Sequence, residues 1–449
     1  MHPPTANILI RFGLLLAIVT SAVPTGSAFF LQPAAYPTDR VLTHREQAPL
    51  VKSWILKRFE TVLPALMRRE KIDMWIIVSR EYNDDPVFRS MSPLTAYSSR
   101  RRTILVFNDR GGRVDRLSVG RFDYDGLYTV VPTANDEQWA GLRTLVEERD
   151  PHVIGVNTSE AWNHADGLTA NEKEQLMKAL GPKYGARVRS AEMLAVGWLE
   201  TKIPEETEAY RHVMTVAHKI IAEAFSNAVI TPGVTTSEDV VWWMRQRVAN
   251  MGLGHWFHPS ITIQRMGGVP ADVPPNTRVI QRGDMLHTDF GLVYLGFSTD
   301  TQHNAYVLLP DETDAPAGLK AGLQAANRLQ ELTMKFATVG GTGNQALSAA
   351  LAQAKSEGLT PSIYCHPVGY HGHAAGPPIG MTDYQNGVPV RGDYVFRPET
   401  WHAIELNVRQ TVPEWNNERI MFALEEDAVL TSAGWNWVDG RQTTFYLIK

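Results

Sequence analysis

Two periods of apolar residues run along the chain. In VKSWILKRFETVLPALMRRE (50–69) apolar positions recur every three or four residues, which predicts an amphipathic helix that Pro64 kinks or splits. Short unbroken runs follow at MWIIVS (74–79), TILVF (103–107) and HVIGVN (152–157), the pattern of buried strands, with LSVG and LYTVV between them. Helix alternating with strand predicts an α/β domain over 50–200. Its acids Glu81, Asp84 and Asp85 fall in a polar turn and read as solvated. Pro204 and the acids after it in ETKIPEETEAY (200–210) signal a helix start and open a second domain, 201–449. A long helix to about Ala228, a turn at TPGVTTSEDV and a helix carrying VVWWMRQRVANMG come first. From residue 259 strands and Gly/Pro turns dominate, broken by helices at about 314–337 and 343–357. No internal repeat or low-complexity tract is present.

Composition narrows the class. A length of 449 residues exceeds what one hydrophobic core supports, in keeping with two domains. With 44% apolar and 20% charged residues the chain is of ordinary globular type, and a net charge of −5 gives no electrostatic ground for a nucleic-acid partner. Cys365 stands alone, so no intrachain disulfide forms. Arg11, the apolar run FGLLLAIVTSAV (12–23) and the small residues at 26–28 predict a signal peptide cleaved after Ala28, then a lead segment at 29–49. The run is short for a transmembrane helix. The expectation is an exported protein, periplasmic or secreted, with no stable membrane span after processing.

Chemistry enters with GDMLHTDFGLVYLGFSTDTQHNAYVL (283–308), where Asp289 and Asp300 interrupt two apolar, β-rich runs. Their separation is odd, so a two-residue turn at Tyr294-Leu295 sets them directly opposite across an antiparallel pair, Cβ atoms about 5 Å apart. Two ionised carboxylates that close repel one another out of water, and bridged metal ions remove the conflict. Downstream, YCHPVGYHGHAAG (364–376) carries His366, His371 and His373 within eight residues; neutral imidazole is the commonest metal ligand. HAIELNV (402–408) alternates, placing Glu405 on the second face of a strand. ALEEDAVL (423–430) adds Glu425, Glu426 and Asp427, among which alternation does not choose, since Glu425 and Asp427 share a face. Two Asp, a His and two Glu form an oxygen-rich dinuclear set suited to manganese, cobalt or zinc.

From about residue 205 the chain resembles the pita-bread metallopeptidases, the family of methionine aminopeptidase, prolidase, aminopeptidase P and creatinase. The family's ligands run Asp, Asp, His, Glu, Glu. HTDFG and STD match the Asp pair at Asp289 and Asp300, HPVGYHGH matches with His366 as ligand and His373 as the second, substrate-facing histidine, and AIEL matches at Glu405. The fifth ligand precedes a Thr by six residues, and Thr431 thereby selects Glu425. Residues 50–195 resemble, more loosely, the α/β domain that precedes the catalytic domain in aminopeptidase P, prolidase and creatinase, which argues against a single-domain methionine-aminopeptidase arrangement.

The resemblance implies two divalent ions, manganese first and cobalt or zinc as alternatives. Asp300 and Glu425 would bridge them, Asp289 would complete one, and His366 with Glu405 the other. It further implies a hydroxide held between the ions, Glu405 as proton carrier, and His373 as donor to the carbonyl oxygen of a peptide substrate. The implied reaction is hydrolysis near a free N-terminus, of Xaa-Pro type, by a protein that forms homodimers. Three departures stand out. Ala271 or Asp272 replaces a histidine seventeen or eighteen residues before the first Asp, with His255 and His258 nearest. DTQHN replaces D-x-T-R-T, so Gln302 and His303 stand for Thr and Arg; Glu405-Leu406-Asn407 replaces Glu-Pro-Gly. Two other readings fit the fold, a creatinase-like C–N hydrolase and a non-catalytic binding protein, and retention of all five ligand positions disfavours both.

Overall fold

The computed structural model describes residues 36–37, 40–134, 136–270 and 273–449. The expected signal peptide lies outside them, as do Ala271 and Asp272. Pro37–Lys449 is one compact unit.

Helix α1 (His44–Glu70) begins six residues before the expected start, because Thr43 and Glu46 form a capping box that the sequence reading left in the lead segment. Pro64 does not split it. The one helical bond Pro64 removes would have ended on the carbonyl of Glu60, an exposed residue whose carbonyl water can serve. The first sheet then forms from β1 (Met74–Arg80), β2 (Arg102–Asp109), β3 (Val114–Gly120), β4 (Thr129–Pro132), β5 (Ile154–Val156) and β6 (Val188–Ser190), in the order β4-β3-β2-β1-β5-β6. Between these strands run α2 (Pro86–Ser90), α3 (Gln138–Arg149) and α4 (Ala170–Gly185). Ile76, Val106 and Val156 pack with Leu142 of α3 and Leu176 of α4. On the other face Phe59 of α1 meets Phe107, which in turn meets Trp75. Both faces of the sheet are covered, so MWIIVS reads as an unbroken apolar run.

Asp85 corrects the solvated-turn expectation. It is fully buried, caps α2 by accepting from the Val87 N–H, and takes both Asn157 amide contacts at 2.9 and 3.1 Å. Burial pushes its pKa up to about 6, against those hydrogen bonds.

After α5 (Glu192–Glu200), α6 (Pro204–Ala224) starts at Pro204, with Glu205 and Glu206 in its first turn. It ends four residues short of the expected Ala228. Helix α7 (Ser237–Asn250) and β7 (Ser260–Gln264) follow. The hairpin consists of β8 (Met285–Phe290), β9 (Val293–Tyr294), β10 (Phe297–Ser298) and β11 (Thr301–Val307). Helices α8 (Ala317–Phe336) and α9 (Gly343–Ser356) lie close to their predicted ranges. The C-terminal strands are β12 (Pro361–Ile363), β13 (His366–Pro367), β14 (Thr400–Ala403), β15 (Leu406–Val412), β16 (Glu418–Leu424), β17 (Asp427–Thr431), β18 (Gly434–Trp437) and β19 (Tyr446–Ile448). They sort into sheets β19-β11-β8-β7, β12-β15-β16 and β13-β14-β17-β18. The stripe Leu319, Leu323, Ala326 on α8 packs against α9 and the strands. Gly322 lies so close to Phe422 that a Cβ there would come within 2.1 Å of its ring.

The hairpin register differs from expectation. Tyr294 pairs with Phe297, so the turn residues are Leu295 and Gly296, with φ of 57° and 81°. Both central residues of this tight turn sit at positive φ, which Gly296 adopts freely. The shift moves Gln302, not Asp300, directly opposite Asp289. Because it is a shift of two, Asp300 stays on the same face, as a diagonal neighbour.

Candidate metal centre

Five separate pieces of chain bring the acids and the imidazole together. Asp289 is on β8, and Asp300 immediately precedes β11. His366 opens β13, while Glu405 and Glu425 occupy the breaks between β14 and β15 and between β16 and β17. Main-chain bonds join these pieces. Gln302 and Glu425 exchange N–H···O=C bonds, both 3.1 Å, and the Tyr364 N–H donates to the Glu405 carbonyl at 3.0 Å. His366 pairs with Ala403 across β13 and β14.

The side chains converge. His366 Nε2 lies 3.3 Å from Glu425 Oε1, 3.4 Å from Asp300 Oδ2 and 3.9 Å from Glu405 Oε2. His366, Glu405 and Glu425 can offer ligand atoms within 4.8 Å of one another, and so can Asp289, Asp300 and Glu425. His366 Nδ1 faces the Pro367 carbonyl at 3.0 Å. A carbonyl only accepts, so Nδ1 carries a proton and Nε2 is the atom turned to the carboxylates. Burial disfavours charge on the ring, but Glu425 and Glu405 raise its pKa to about 9, so that Nε2 is held ready for a proton or a metal ion.

The electrostatics leave a cation-shaped demand. Burial first, then the charge of Glu405, pushes the Asp289 pKa up to about 7. Burial and neighbouring carboxylates raise Asp300 and Glu425 well above the usual range, and burial raises Glu405. Two buried and two half-buried carboxyl groups this close cannot all ionise without positive charge. Asp289 Oδ1, Asp300 Oδ1, Glu425 Oε1 and His366 Nε2 are buried with no hydrogen-bond partner. Orphaned polar atoms are costly, and these belong to residues whose ligand atoms converge. The donor set, oxygens plus one imidazole, fits divalent metal ions.

The neighbouring residues divide by strand parity. Glu426 points away from the cluster, to His303 Nε2 at 2.6 Å and His218 Nε2 at 3.0 Å. Asp427 accepts from the Tyr210 hydroxyl at 2.6 Å and from the Asp300 N–H at 3.2 Å. Asp284, at the start of the quoted segment, is held by Arg265 at 2.6 and 2.7 Å. The His373 ring stands edge-on to His366, centroids 4.6 Å apart, and is exposed. His371 instead turns to His164 of the N-terminal half, at 4.5 Å. Neither His255 nor His258 joins the cluster: His255 Nε2 meets the Arg245 carbonyl, and His258 Nδ1 meets the Arg245 guanidinium.

Sequence reasoning missed Trp256. Its indole donates to the Thr299 carbonyl at 2.8 Å and lies 5.3 Å from the His373 ring. It packs so closely on Gly291 and Gly372 that a Cβ at either would lie within 2.4 Å of it. Nothing in the local spacing announces that role, although the two glycines flanking the Asp and His motifs are its trace. In the sequence Gln302 stands out only as a departure. Its amide reaches Glu405 Oε1 at 2.7 Å and Glu425 Oε2 at 2.9 Å.

A mixed α/β chain whose carboxylates and one imidazole converge at a strand junction has the donor set of a metal-dependent protein. Residues 208–432 match the model of metallopeptidase family M24, and the chain belongs to that family, whose members use divalent metals. The uncharacterized peptidase YqhT of Bacillus subtilis (strain 168) is 24% identical over 306 residues, covering 67% of this chain and 74% of that protein. The fold is similar to that of the X-Pro aminopeptidase from Thermotoga maritima MSB8, with a TM-score of 0.63 at 16% identity, covering 85% of this chain and 99% of the other. It is also similar to the prolidase from Pyrococcus furiosus, with a TM-score of 0.56 at 17% identity, covering 85% and 100%. The pita-bread expectation therefore holds, and the chain is a metallopeptidase. Among the described residues no helix is long and apolar enough to cross a membrane.

Proposed function

We propose that the protein hydrolyses a peptide bond near a free N-terminus, of Xaa-Pro type, using two divalent ions held by Asp289, Asp300, His366, Glu405 and Glu425. The observation that carries this reading is the convergence of the five residues, four of which each bring a buried donor atom with no hydrogen-bond partner. Bound there, a pair of ions would supply an acidified water and polarise the scissile carbonyl. Asp300 and Glu425 would take the central positions: Glu425 shares one ligand group with Asp289 and Asp300 and another with His366 and Glu405, and Asp300 lies within reach of both Asp289 and His366. Glu405, 21% exposed at its side chain, is open enough to accept a proton and pass it to the leaving amine. The exposed His373 ring, beside the His366 ring, donates to the carbonyl oxygen as negative charge develops on it. Trp256 fixes the segment carrying His373 against the one following Asp289 and keeps that donor in place.

Manganese is the proposed metal, because hard carboxylate oxygens outnumber nitrogen in the site. Purified protein loaded with manganese and offered a panel of Xaa-Pro and control peptides tests the reading. Release of the N-terminal residue supports it, and no turnover with manganese, cobalt or zinc sinks it. Export rests on Arg11 and the apolar run after it. A mature chain beginning at Phe29 supports cleavage and export, an intact N-terminus overturns the cleavage, and recovery of the protein in the cytoplasm overturns export. A homodimer is part of the same proposal, checked by sedimentation.

A further inference from the structure

Gln302, at the second of the three sequence departures, is 5% exposed, and every polar atom of its amide has a defined partner. Its nitrogen contacts two carboxylates, Glu405 Oε1 at 2.7 Å and Glu425 Oε2 at 2.9 Å. Carboxylate oxygens accept and the amide nitrogen has two hydrogens, so one donor serves each glutamate. The amide oxygen must then face the other way, and it meets His287 Nε2 at 3.0 Å. That contact requires His287 to donate from Nε2, leaving Nδ1 to accept from the Thr262 hydroxyl at 3.3 Å. Thr262 and His287 are directly paired residues of β7 and β8, and the neighbouring strand β11 carries Gln302. The row Thr262–His287–Gln302 therefore crosses three adjacent strands and ends on the two glutamates.

The atoms left over carry the consequence. The glutamate oxygens near His366 Nε2 are Glu405 Oε2 and Glu425 Oε1, the two that Gln302 does not hold. We propose that Gln302 is a positioning residue that fixes which oxygen of Glu405 and of Glu425 faces the cluster, and that His287 acts through it by fixing the orientation of its amide. The proposal rests on the dinuclear reading above. A threonine hydroxyl has one hydrogen, enough for one carboxylate, whereas this amide serves both. The paired main-chain bonds between Gln302 and Glu425 hold the amide at that spot. Neither Gln302 nor His287 is assigned to metal or substrate.

The test is calorimetric titration of the metal-free full chain with Mn²⁺, alongside thermal melts of the same samples. Gln302→Leu weakens manganese binding by about 10–100-fold, the range typical for loss of a partner that orients ligands. His287→Leu weakens it less. In the double variant the loss equals that of Gln302→Leu alone, because His287 has no other route to the glutamates. Gln302→Thr, which restores one donor and is the smaller change should the leucine variant misfold, recovers part of the affinity. Unchanged affinity in Gln302→Leu, or losses that add in the double variant, overturns the proposal. Wild-type protein that binds no manganese overturns the dinuclear reading itself and this inference with it; wild type binding two ions beside an unaffected Gln302→Leu overturns this inference alone.

Discussion

Replacing Arg58 with methionine tests how α1 is fastened to the catalytic half. The guanidinium is wholly buried. Its Nη1 donates to Glu206 Oε2 at 2.9 Å and to the Thr201 carbonyl at 2.5 Å, and the group stacks over Trp198 at 4.3 Å. Glu206 also accepts from the Tyr370 hydroxyl at 2.8 Å and the Ile203 N–H at 2.9 Å. Methionine keeps most of the volume but strands a carboxylate that is 1% exposed, and breaking a buried pair in this way costs about 3–5 kcal/mol. With an unfolding entropy of about 2.1 cal/mol/K per residue over Pro37–Lys449, the Tm falls by about 3–6 °C. Calorimetry or a urea melt reads this directly. Removing Glu206 as well, in Arg58→Met/Glu206→Gln, recovers part of the loss, since no charge is then stranded. A loss below about 1 kcal/mol in the single variant would refute the reasoning, because that is the scale of an exposed pair.

The remaining predictions concern charge and packing near the centre. Burial lowers the His218 pKa, but Glu426 and Asp439 together outweigh it and raise the group to about 10, so its contribution is fully present below pH 6.5 and is lost as pH rises toward 10. His218→Gln should therefore destabilise at pH 6 by up to about 5 kcal/mol and flatten the stability profile between pH 6.5 and 10. An unchanged slope in urea melts across that window would contradict it. Gly372→Ala sets a methyl group within 2.4 Å of the Trp256 ring, whereas Gly112→Ala meets nothing within 4 Å. The first should lower kcat/KM at least about 10-fold by displacing His373, a change of about 1.4 kcal/mol, and the second should leave it unchanged. Equal activities would remove Trp256 and Gly372 from the positioning of His373.

Much of this organisation is legible in the chain because burial leaves periodic marks. MWIIVS reads as a strand since both faces of β1 are covered, and Leu319, Leu323 and Ala326 give α8 its stripe. The odd separation of Asp289 and Asp300 correctly gives a shared face, because parity survives a register error of two. The register itself does not follow from parity; it depends on which two residues take positive φ, and Leu295 is an unusual choice. The burial of Asp85 is not legible, because a polar segment does not reveal that Asn157, distant in sequence, covers one of its acids. Trp256, His287 and His218 act through tertiary contacts that no spacing encodes. Gln302 was visible only as a mismatch, and the structure shows it in contact with both glutamates.

The central claim, that Asp289, Asp300, His366, Glu405 and Glu425 hold a pair of metal ions, is tested most directly by elemental analysis. Purified protein equilibrated with Mn²⁺ and freed of excess should retain about two ions per chain. The Asp300→Ala variant, folded by circular dichroism, should retain fewer and lose peptidase activity. Wild type with no bound metal, or Asp300→Ala with an undiminished complement, would contradict the account.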